Sequence, residues 1–344
     1  MSKNSHVTIT DVAEKAGVSV STVSRILNGK QDVAVATRDR VQQVIAELGF
    51  RPHVQAKRLR GGGKTHSLAL LFPLAHGGNI SYNALETDFI VGASVAANEG
   101  GYFFNLMTAP VTDGDLLDLF RGGQIDGAVL MQIHARDSRV EFLRTNDHPF
   151  VMIGRTADNT GLSYVDLDFE DAVIAAFNYA VSLGHRRIGF LALPHGLNVH
   201  GYGPAMRGWQ GYQKSLAAHG LAPIFREVAY DAQAMLDATL SMLDEAPDLS
   251  AIVTTHEYAP LNIIQALTVR RRRIPQDCSI IGLMTEKIAR LSTPPITHIE
   301  FPSYRMGYDA VRILIRQLES DSFTPEQVLI PPRLLLGKST TEAT

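Results

Sequence analysis

From Ser67 onward, short continuous apolar runs alternate with longer helical stretches, and this alternation restricts the chain to very few folds. The runs cover 68–72, 102–107, 127–131, 150–153 and 165–167. Between them, 84–99, 113–120 and 138–146 carry helical spacing. The 170–183 stretch is a long helix, and the cycle then restarts. Strand-like runs at 188–193, 227–230, 251–255 and 279–284 alternate with helices near 206–219, 232–243 and 261–271. Unbroken apolar runs, rather than alternating ones, suit strands covered on both faces in a parallel sheet. Two doubly wound α/β units in series follow. The remainder (296–301, a helix over 306–318, and 328–336) is expected to cross back and complete both sheets.

The first sixty residues have a different rhythm. Val12, Ala13 and Ala16 form a narrow apolar stripe at helical spacing, with Thr10 a candidate cap for that helix. Gly17 supplies a turn, where a positive φ costs glycine little. Ser19 then caps a second helix that faces Val23, Ile26 and Leu27 inward and ends at Asn28-Gly29. A pair this short needs a third partner. The 37–48 stretch brings Val41, Val44, Ile45 and Leu48 at i, i+3, i+4 and i+7. The outward residues of the second helix are Val20, Ser21, Thr22, Ser24 and Arg25, with no acid among them. That chemistry suits a major groove, where hydroxyls reach phosphates and an arginine can pair with guanine.

The net charge of −3 hides a division. Residues 1–64 carry 11 lysines and arginines against 5 aspartates and glutamates; the rest carries 21 against 30. A basic head on an acidic body fits a DNA-binding module joined to one that does not bind DNA. Cys278 is the sole cysteine, so no internal disulfide can form, and a reducing cytoplasm is expected. No apolar run reaches membrane-span length, and no export signal opens the chain. Enzyme signatures fail residue by residue. Gly61-Gly-Gly63-Lys64-Thr65 imitates the end of a phosphate loop but has Arg58 where glycine is required. His256-Glu257 opens like a zinc-protease motif, but Pro260 occupies the second histidine position. Around Ser94 the last glycine of a nucleophile elbow is missing, and Gly201-Tyr-Gly203 lacks dinucleotide-fingerprint spacing. No catalytic residue, metal or cofactor is expected.

The segment from Thr8 to Ser19, with Thr22-Val23-Ser24-Arg25, Asn28-Gly29 and Gly49-Phe50-Arg51-Pro52, closely resembles the headpiece of the LacI/GalR family of bacterial transcription regulators. Further landmarks match that family's core: Ile125-Asp126-Gly127, Leu183 to Ile188, Ile274 to Gly282, and Lys338-Ser339-Thr340. The resemblance implies an all-α helix-turn-helix headpiece and an α/β two-lobed core, similar to type I periplasmic binding proteins, with two doubly wound parallel sheets. The implied boundaries are 1–52 for the headpiece, 53–63 for a hinge helix and linker, and 64–344 for an effector-binding and dimerisation core. Within the core, one lobe is expected at about 65–163 and 294–322, the other at about 164–293 and 323–344. By resemblance, Val20, Ser21 and Arg25 read bases; Ser19, Thr22 and Ser24 hold phosphates. Thr8, Asn28 and His53 join the DNA contacts. In the hinge, Leu59 is the minor-groove wedge, Ala56 the groove-floor contact, and Lys57, Arg58 and Arg60 flank it on phosphates. Such wedges unstack and kink DNA, which the added contacts must offset. The implied partners are double-stranded, near-palindromic operator DNA, a second copy of the chain, and a small effector, most simply a sugar. No membrane partner is implied. The implied role is repression of a catabolic or transport operon.

Ligands of this fold sit at the carboxyl ends of the strands, so the loops after Phe72, Met131, Leu193, Thr255 and Leu283 are the ones to inspect. Here the chain departs from its family. Arg207 stands four residues before Gly211-Tyr212, one more than the family's sugar-gripping arginine. His256-Glu257 replaces a frequent Asn-Asp pair, and Leu283-Met284-Thr285 replaces an aromatic and aspartates. A carboxylate accepts two hydroxyls, which Met284 cannot do. The effector-contact candidates are Arg207, Glu257, His256, Tyr202, Asn83, Gln132 and Met284. The altered residues leave a less polar metabolite or a protein partner open beside a sugar.

Overall fold

The computed structural model describes residues 7–27, 33–50, 64–73, 84–194 and 201–343. They divide into two compact units, 1–65 and 66–344. In the first, α1 (Ile9–Ala16), α2 (Val20–Leu27) and α3 (Val35–Leu48) close around Val12, Val23 and Val41, which are fully buried, with Ala13, Ala16 and Phe50 beside them. Small residues at 13 and 16 let α2 and α3 approach α1 closely. Thr8, rather than Thr10, caps α1. The Asp11 amide bonds its hydroxyl, and the Asp11 carboxylate accepts the Thr8 N–H at 2.7 Å. Helical geometry begins at Ile9, so Thr10 already lies inside the first turn. Gly17 ends the helix at φ 64°, and Lys15 of α1 pairs with Glu47 of α3 at 3.1 Å.

The second unit holds two six-stranded sheets. The first runs β11-β5-β4-β3-β1-β2, built from β1 (Ser67–Leu71), β2 (Phe103–Met107), β3 (Gly127–Leu130), β4 (Phe150–Ile153), β5 (Tyr164–Leu167) and β11 (Gln327–Ile330), all parallel. The second runs β12-β10-β9-β8-β6-β7, from β6 (Ile188–Ala192), β7 (Phe225–Glu227), β8 (Ala251–Thr254), β9 (Ser279–Met284), β10 (Thr297–Glu300) and β12 (Leu334–Leu335). Among the described residues its only antiparallel strand pair is β10 with β12. The helices are α4 (Ala84–Glu99), α5 (Asp113–Arg121), α6 (Ser138–Thr145), α7 (Phe169–Ser182), α8 (Gly203–His219), α9 (Ala232–Glu245), α10 (Ala259–Val269), α11 (Glu286–Leu291) and α12 (Ser303–Glu319).

The lobe boundaries need correcting. The chain leaves the first sheet after Leu167, not before 164, because Met152 and Ile153 pair with Tyr164 and Val165. On return, 297–300 stays in the second sheet beside β9, while 327–330 joins the first beside β5. The run expected as one strand over 328–336 is thus two strands in two sheets. Phe301, at one crossing, packs edge-on against Phe89 of α4 and Phe169 of α7, so the crossings share one aromatic contact. A second correction concerns β2. It closes the edge of its sheet, and Phe103 is 64% exposed. An apolar run there does not signal two covered faces.

Two glycines set how closely the first lobe's outer helices cross. A Cβ on Gly92 of α4 would lie 2.1 Å from the Tyr304 carbonyl oxygen. One on Gly307 of α12 would lie 2.2 Å from that of Phe89. Side chains there would push apart the layer that covers β1 and β3.

Candidate functional site

The α2 N-terminus gathers three hydroxyls. Ser19 accepts the Thr22 amide at 3.2 Å, and its oxygen lies 2.7 Å from that of Ser21 and 2.8 Å from that of Thr22. Ser21 and Arg25 are exposed, Ser24 is half-buried, and Val20 leans partly onto the three-helix core. The structure therefore brings Ser19, Ser21 and Thr22 together, with Arg25 on the following turn. Thr8 is exposed at the start of α1. Asn28, His53, Ala56, Lys57, Arg58, Leu59 and Arg60 lie outside the described residues, as does Asn83 in the core.

In the core, the loop after β3 is held from below. Gln132 takes a left-handed φ of 54°. Arg139 of α6 reaches back, donating to the Met131 carbonyl at 3.0 Å, to that of Gln132 at 3.2 Å, and to Asp137 at 2.7 Å. Burial alone would raise the Asp137 pKa. Hydrogen bonds from His134 and Arg139, with the Arg139 charge, outweigh it and hold this carboxyl well below the usual range. The stiffened loop is stitched to the start of α8. Gly203 N–H donates to the Ile133 carbonyl at 3.2 Å and Ala135 N–H to that of Gly201 at 2.8 Å, forming a bridge between His134 and Tyr202. This brings Gln132 and Tyr202, from different lobes, to one mouth.

Beneath that mouth lies Asp166, in the middle of β5 and only 1% exposed. Arg155 Nε donates to its Oδ2 at 3.1 Å, and Arg207 Nη1 approaches the same oxygen to 3.7 Å. Arg207 Nη2 donates to the Arg155 carbonyl at 2.8 Å and to that of Thr156 at 3.3 Å. Arg155 also lies 3.8 Å from Asp168. Burial pushes the Asp166 pKa up to about 6 against the opposing pull of the Arg207 and Arg155 charges. Burial likewise lowers the Arg207 pKa, partly countered by Asp166. The Tyr202 phenol is raised by burial first and then by the Asp166 and Glu86 charges, so it stays a neutral donor. Glycine at residue 203 leaves room for this guanidinium: a Cβ would lie 2.6 Å from Arg207 Nη1, and 3.2 Å and 3.3 Å from the Ile133 and Arg155 carbonyl oxygens, so the arginine would have to shift.

The other candidates fall elsewhere. Glu257 is buried, its carboxylate already occupied. Thr285 Oγ1 donates to it at 2.8 Å from its own lobe, and the Leu85 amide of α4 at 3.2 Å from the other. It acts as a tie between lobes. His256 is fully buried. Its Nε2 faces the Ala192 carbonyl at 3.1 Å and therefore donates, and burial lowers its pKa to about 4, so it is neutral. Met284 is a correction. Fully buried in the second lobe's core with Ala259 and Ile263, it presents no surface to a ligand. The strand's last side chain turns into the helix layer instead of the cleft.

Three cleft residues escaped the sequence reading: Arg155, Asp166 and Tyr230. Tyr230 follows β7, is 55% exposed, sits edge-on to His256 at 5.1 Å, and lies within electrostatic reach of Tyr202, Glu86 and Glu257. An acid inside the apolar run Val165-Asp166-Leu167 was the legible signal, since a buried charge demands partners. Among the described residues, no cluster of histidine, cysteine and acids could hold a metal, and no helix is long and apolar enough to cross a membrane.

A three-helix head with a hydroxyl- and arginine-bearing second helix, followed in the chain by a two-lobed α/β core, fits the class of helix-turn-helix transcription regulators. Residues 8–53 match the bacterial regulatory proteins of the lacI family, and residues 177–340 match the periplasmic binding protein-like domain. The HTH-type transcriptional regulator CelR of Thermobifida fusca is 28% identical across 98% of this chain and all of its own length. A solved structure described as a transcriptional regulator CelR–cellobiose complex superposes with a TM-score of 0.70 at 26% identity, covering 97% of this chain and 99% of that one. The lac repressor dimer bound to operator and an anti-inducer shares the fold, with a TM-score of 0.85 at 22% identity, over 98% of this chain and 100% of that one. The chain thus carries a lacI-family DNA-binding domain and a periplasmic-binding-protein-like domain, and it is similar along nearly its whole length to HTH-type transcriptional regulators.

Proposed function

We propose that this regulator is a cytoplasmic homodimeric repressor of a carbohydrate uptake or catabolic operon, released or armed by a sugar held between the core lobes. The carrying observation is the buried Asp166, addressed on one oxygen by both Arg155 and Arg207. Itself only 1% exposed, it acts by holding Arg155 and Arg207 in place, and those guanidiniums are the groups offered to sugar hydroxyls. Arg207 and Tyr202 add donors beside it, and Gln132 an amide. Tyr230 adds an aromatic face of the kind that stacks on a sugar ring. The CelR–cellobiose structure supports the same ligand class.

The domain limits assigned to this role are 1–52 for the head, 53–63 for the hinge and 64–344 for the core. Two heads on one two-fold axis match two half-sites. Val20, Ser21 and Arg25 read bases, Ser19, Thr22 and Ser24 hold phosphates, and Leu59 wedges the minor groove. A ligand that draws the lobes together biases which dimer arrangement the heads can use, which is coupling through a two-state element.

The test is a thermal-shift screen of the full chain against mono- and disaccharides, sugar phosphates and nucleosides. A ligand at a hundredfold over its dissociation constant stabilises by about 2.7 kcal/mol. A saccharide hit that Arg207→Ala removes, and that changes operator binding, supports the reading. A hit confined to nucleosides replaces the effector class. Operator binding unaffected by every hit refutes cleft control.

A further inference from the structure

We infer that Glu257 is a proton-sensitive latch across the cleft: closing the lobes buries its carboxylate against the start of α4, and mild acid favours that closed arrangement. Such a latch rests on the reading of the cleft as the regulated element, and it gives that element a second input, acidity.

The two carboxylate oxygens of Glu257 serve different lobes. Oε1 accepts the Thr285 hydroxyl at 2.8 Å, within the second lobe. Oε2 accepts the Leu85 amide at 3.2 Å, in the first turn of α4 and therefore in the first lobe. Amides in the first turn have no partner within their own helix, and the helix dipole favours a negative acceptor there. In α1 and α5 a threonine just before the helix fills that place. In α4 a side chain from the other lobe takes part in it. Glu257 is 4% exposed, and α4 supplies part of the cover. Parting the lobes strips the Leu85 bond and returns the carboxylate to water.

The closed position is a poor one for a negative charge. Burial raises the Glu257 pKa ahead of the Thr285 and Leu85 hydrogen bonds that lower it, and the Asp88 charge on α4 raises it further. The groups that face this carboxyl are Asp88 from α4, Tyr230 from the end of β7, and the adjacent His256, which is neutral. None of these three brings a positive charge. Opening restores water and separates the carboxyl from Asp88, so its pKa falls. A group with the higher pKa in one arrangement binds more protons there, and acid shifts the population toward that arrangement. A protonated Glu257 still offers a carbonyl oxygen to the Leu85 amide, and it no longer repels Asp88. Closure takes up a proton, and a sugar that closes the lobes binds more tightly in mild acid.

The test is an interlobe distance, measured on the full chain by pulsed electron paramagnetic resonance with spin labels at Asp113→Cys and Ala234→Cys. Both positions are exposed, one in each lobe, and Cys278 is buried and stays unlabelled. Labelled chain is diluted into unlabelled chain so that distances arise within one copy. The ratio of short to long distances should fall by about tenfold from pH 5 to pH 8, the change that one unit of pKa difference between the two arrangements gives. Glu257→Gln, which has the shape of the protonated residue, should hold the short distance throughout. Glu257→Ala should favour the long distance at both ends. Asp88→Asn, which removes the like charge and leaves the latch in place, should reduce the response to about threefold. A wild-type ratio that does not change with pH overturns the latch. A response of the same size in Glu257→Gln overturns it too and assigns the proton to Asp166, the other buried carboxyl between the lobes. The distances are read without any sugar, so a failed latch leaves the effector class standing, and a failed sugar screen leaves the latch standing.

Discussion

Asp137 and Asp166 are both buried aspartates with arginine neighbours, yet their surroundings push them in opposite directions. Asp137 sits in a closed local loop. The His134 amide and the Arg139 amide, Nε and Nη2 all donate to it, and its pKa is held far down. Asp166 joins distant segments. One arginine nitrogen lies within hydrogen-bonding distance and a second stands off at 3.7 Å, so burial wins and the pKa rises to about 6. A saturated carboxylate builds structure. An undersupplied one, buried between two arginines, stays sensitive to protonation.

The sharpest way to break this contrast is to remove the saturated acid. Asp137→Ala leaves the buried Arg139 guanidinium without its carboxylate and takes the cap from α6. Stranding one member of a buried pair costs about 3–5 kcal/mol, read as a lower urea midpoint. A loss below about 1 kcal/mol, the range of exposed pairs, would mean that the loop is not held by this pair.

Asp166 is tested by pH. Its folded pKa of about 6 lies above the unfolded value of 3.8, so between these values the folded state binds more protons. Stability therefore falls as pH rises from about 4 to 6, by about 3 kcal/mol across the window. Asp137, depressed in the fold, contributes stability that is intact above pH 4 and is lost only in stronger acid. Buried neutral histidines such as His256 titrate nearby, so the measurement is the difference between wild type and Asp166→Asn, followed by chemical denaturation at each pH. The wild type should lose stability relative to the variant on going from pH 4 to 7. A flat difference would show that the carboxylate is already satisfied, and the contrast with Asp137 would collapse.

The same contrast separates what the sequence discloses from what it hides. Stripes such as Val12-Ala13-Ala16 and runs such as Ile280-Ile281 report local periodicity, and the three-helix head and the alternation of strands and helices follow from them. The 328–336 run misled because two sheets share it, and periodicity carries no information on which sheet a strand joins. The exposed edge of β2 was hidden for the same reason. Asp137 and Arg139 are neighbours in sequence, while Asp166, Arg155 and Arg207 meet only after three strand ends and a helix start are stacked. Glu257 reads as an open ligand contact until the Leu85 amide, 172 residues away, is found on its carboxylate. Arg207 and Tyr202 were legible because they stand at the start of a helix that follows a strand, where clefts of this fold open.

The smallest effect tests whether the saturated pattern also governs the head. Asp11 repeats the Asp137 arrangement at the surface, accepting the Thr8 N–H and hydroxyl, both at 2.7 Å, while its own amide returns a bond to the Thr8 oxygen. These hydrogen bonds, the backbone one foremost, lower its pKa. Thr8→Ala should weaken α1 by about 1 kcal/mol, the usual cost of a lost cap, seen as faster amide exchange over residues 9–12. Thr10→Ala, inside the first turn, should leave that exchange unchanged or slow it, because alanine favours helix. Thr8→Ser should restore protection, since it keeps the oxygen. If Thr10→Ala were the damaging change, the capping role would pass back to the residue that local spacing first suggested, and the reciprocal bond to Asp11 would not be what fixes the entry to the head.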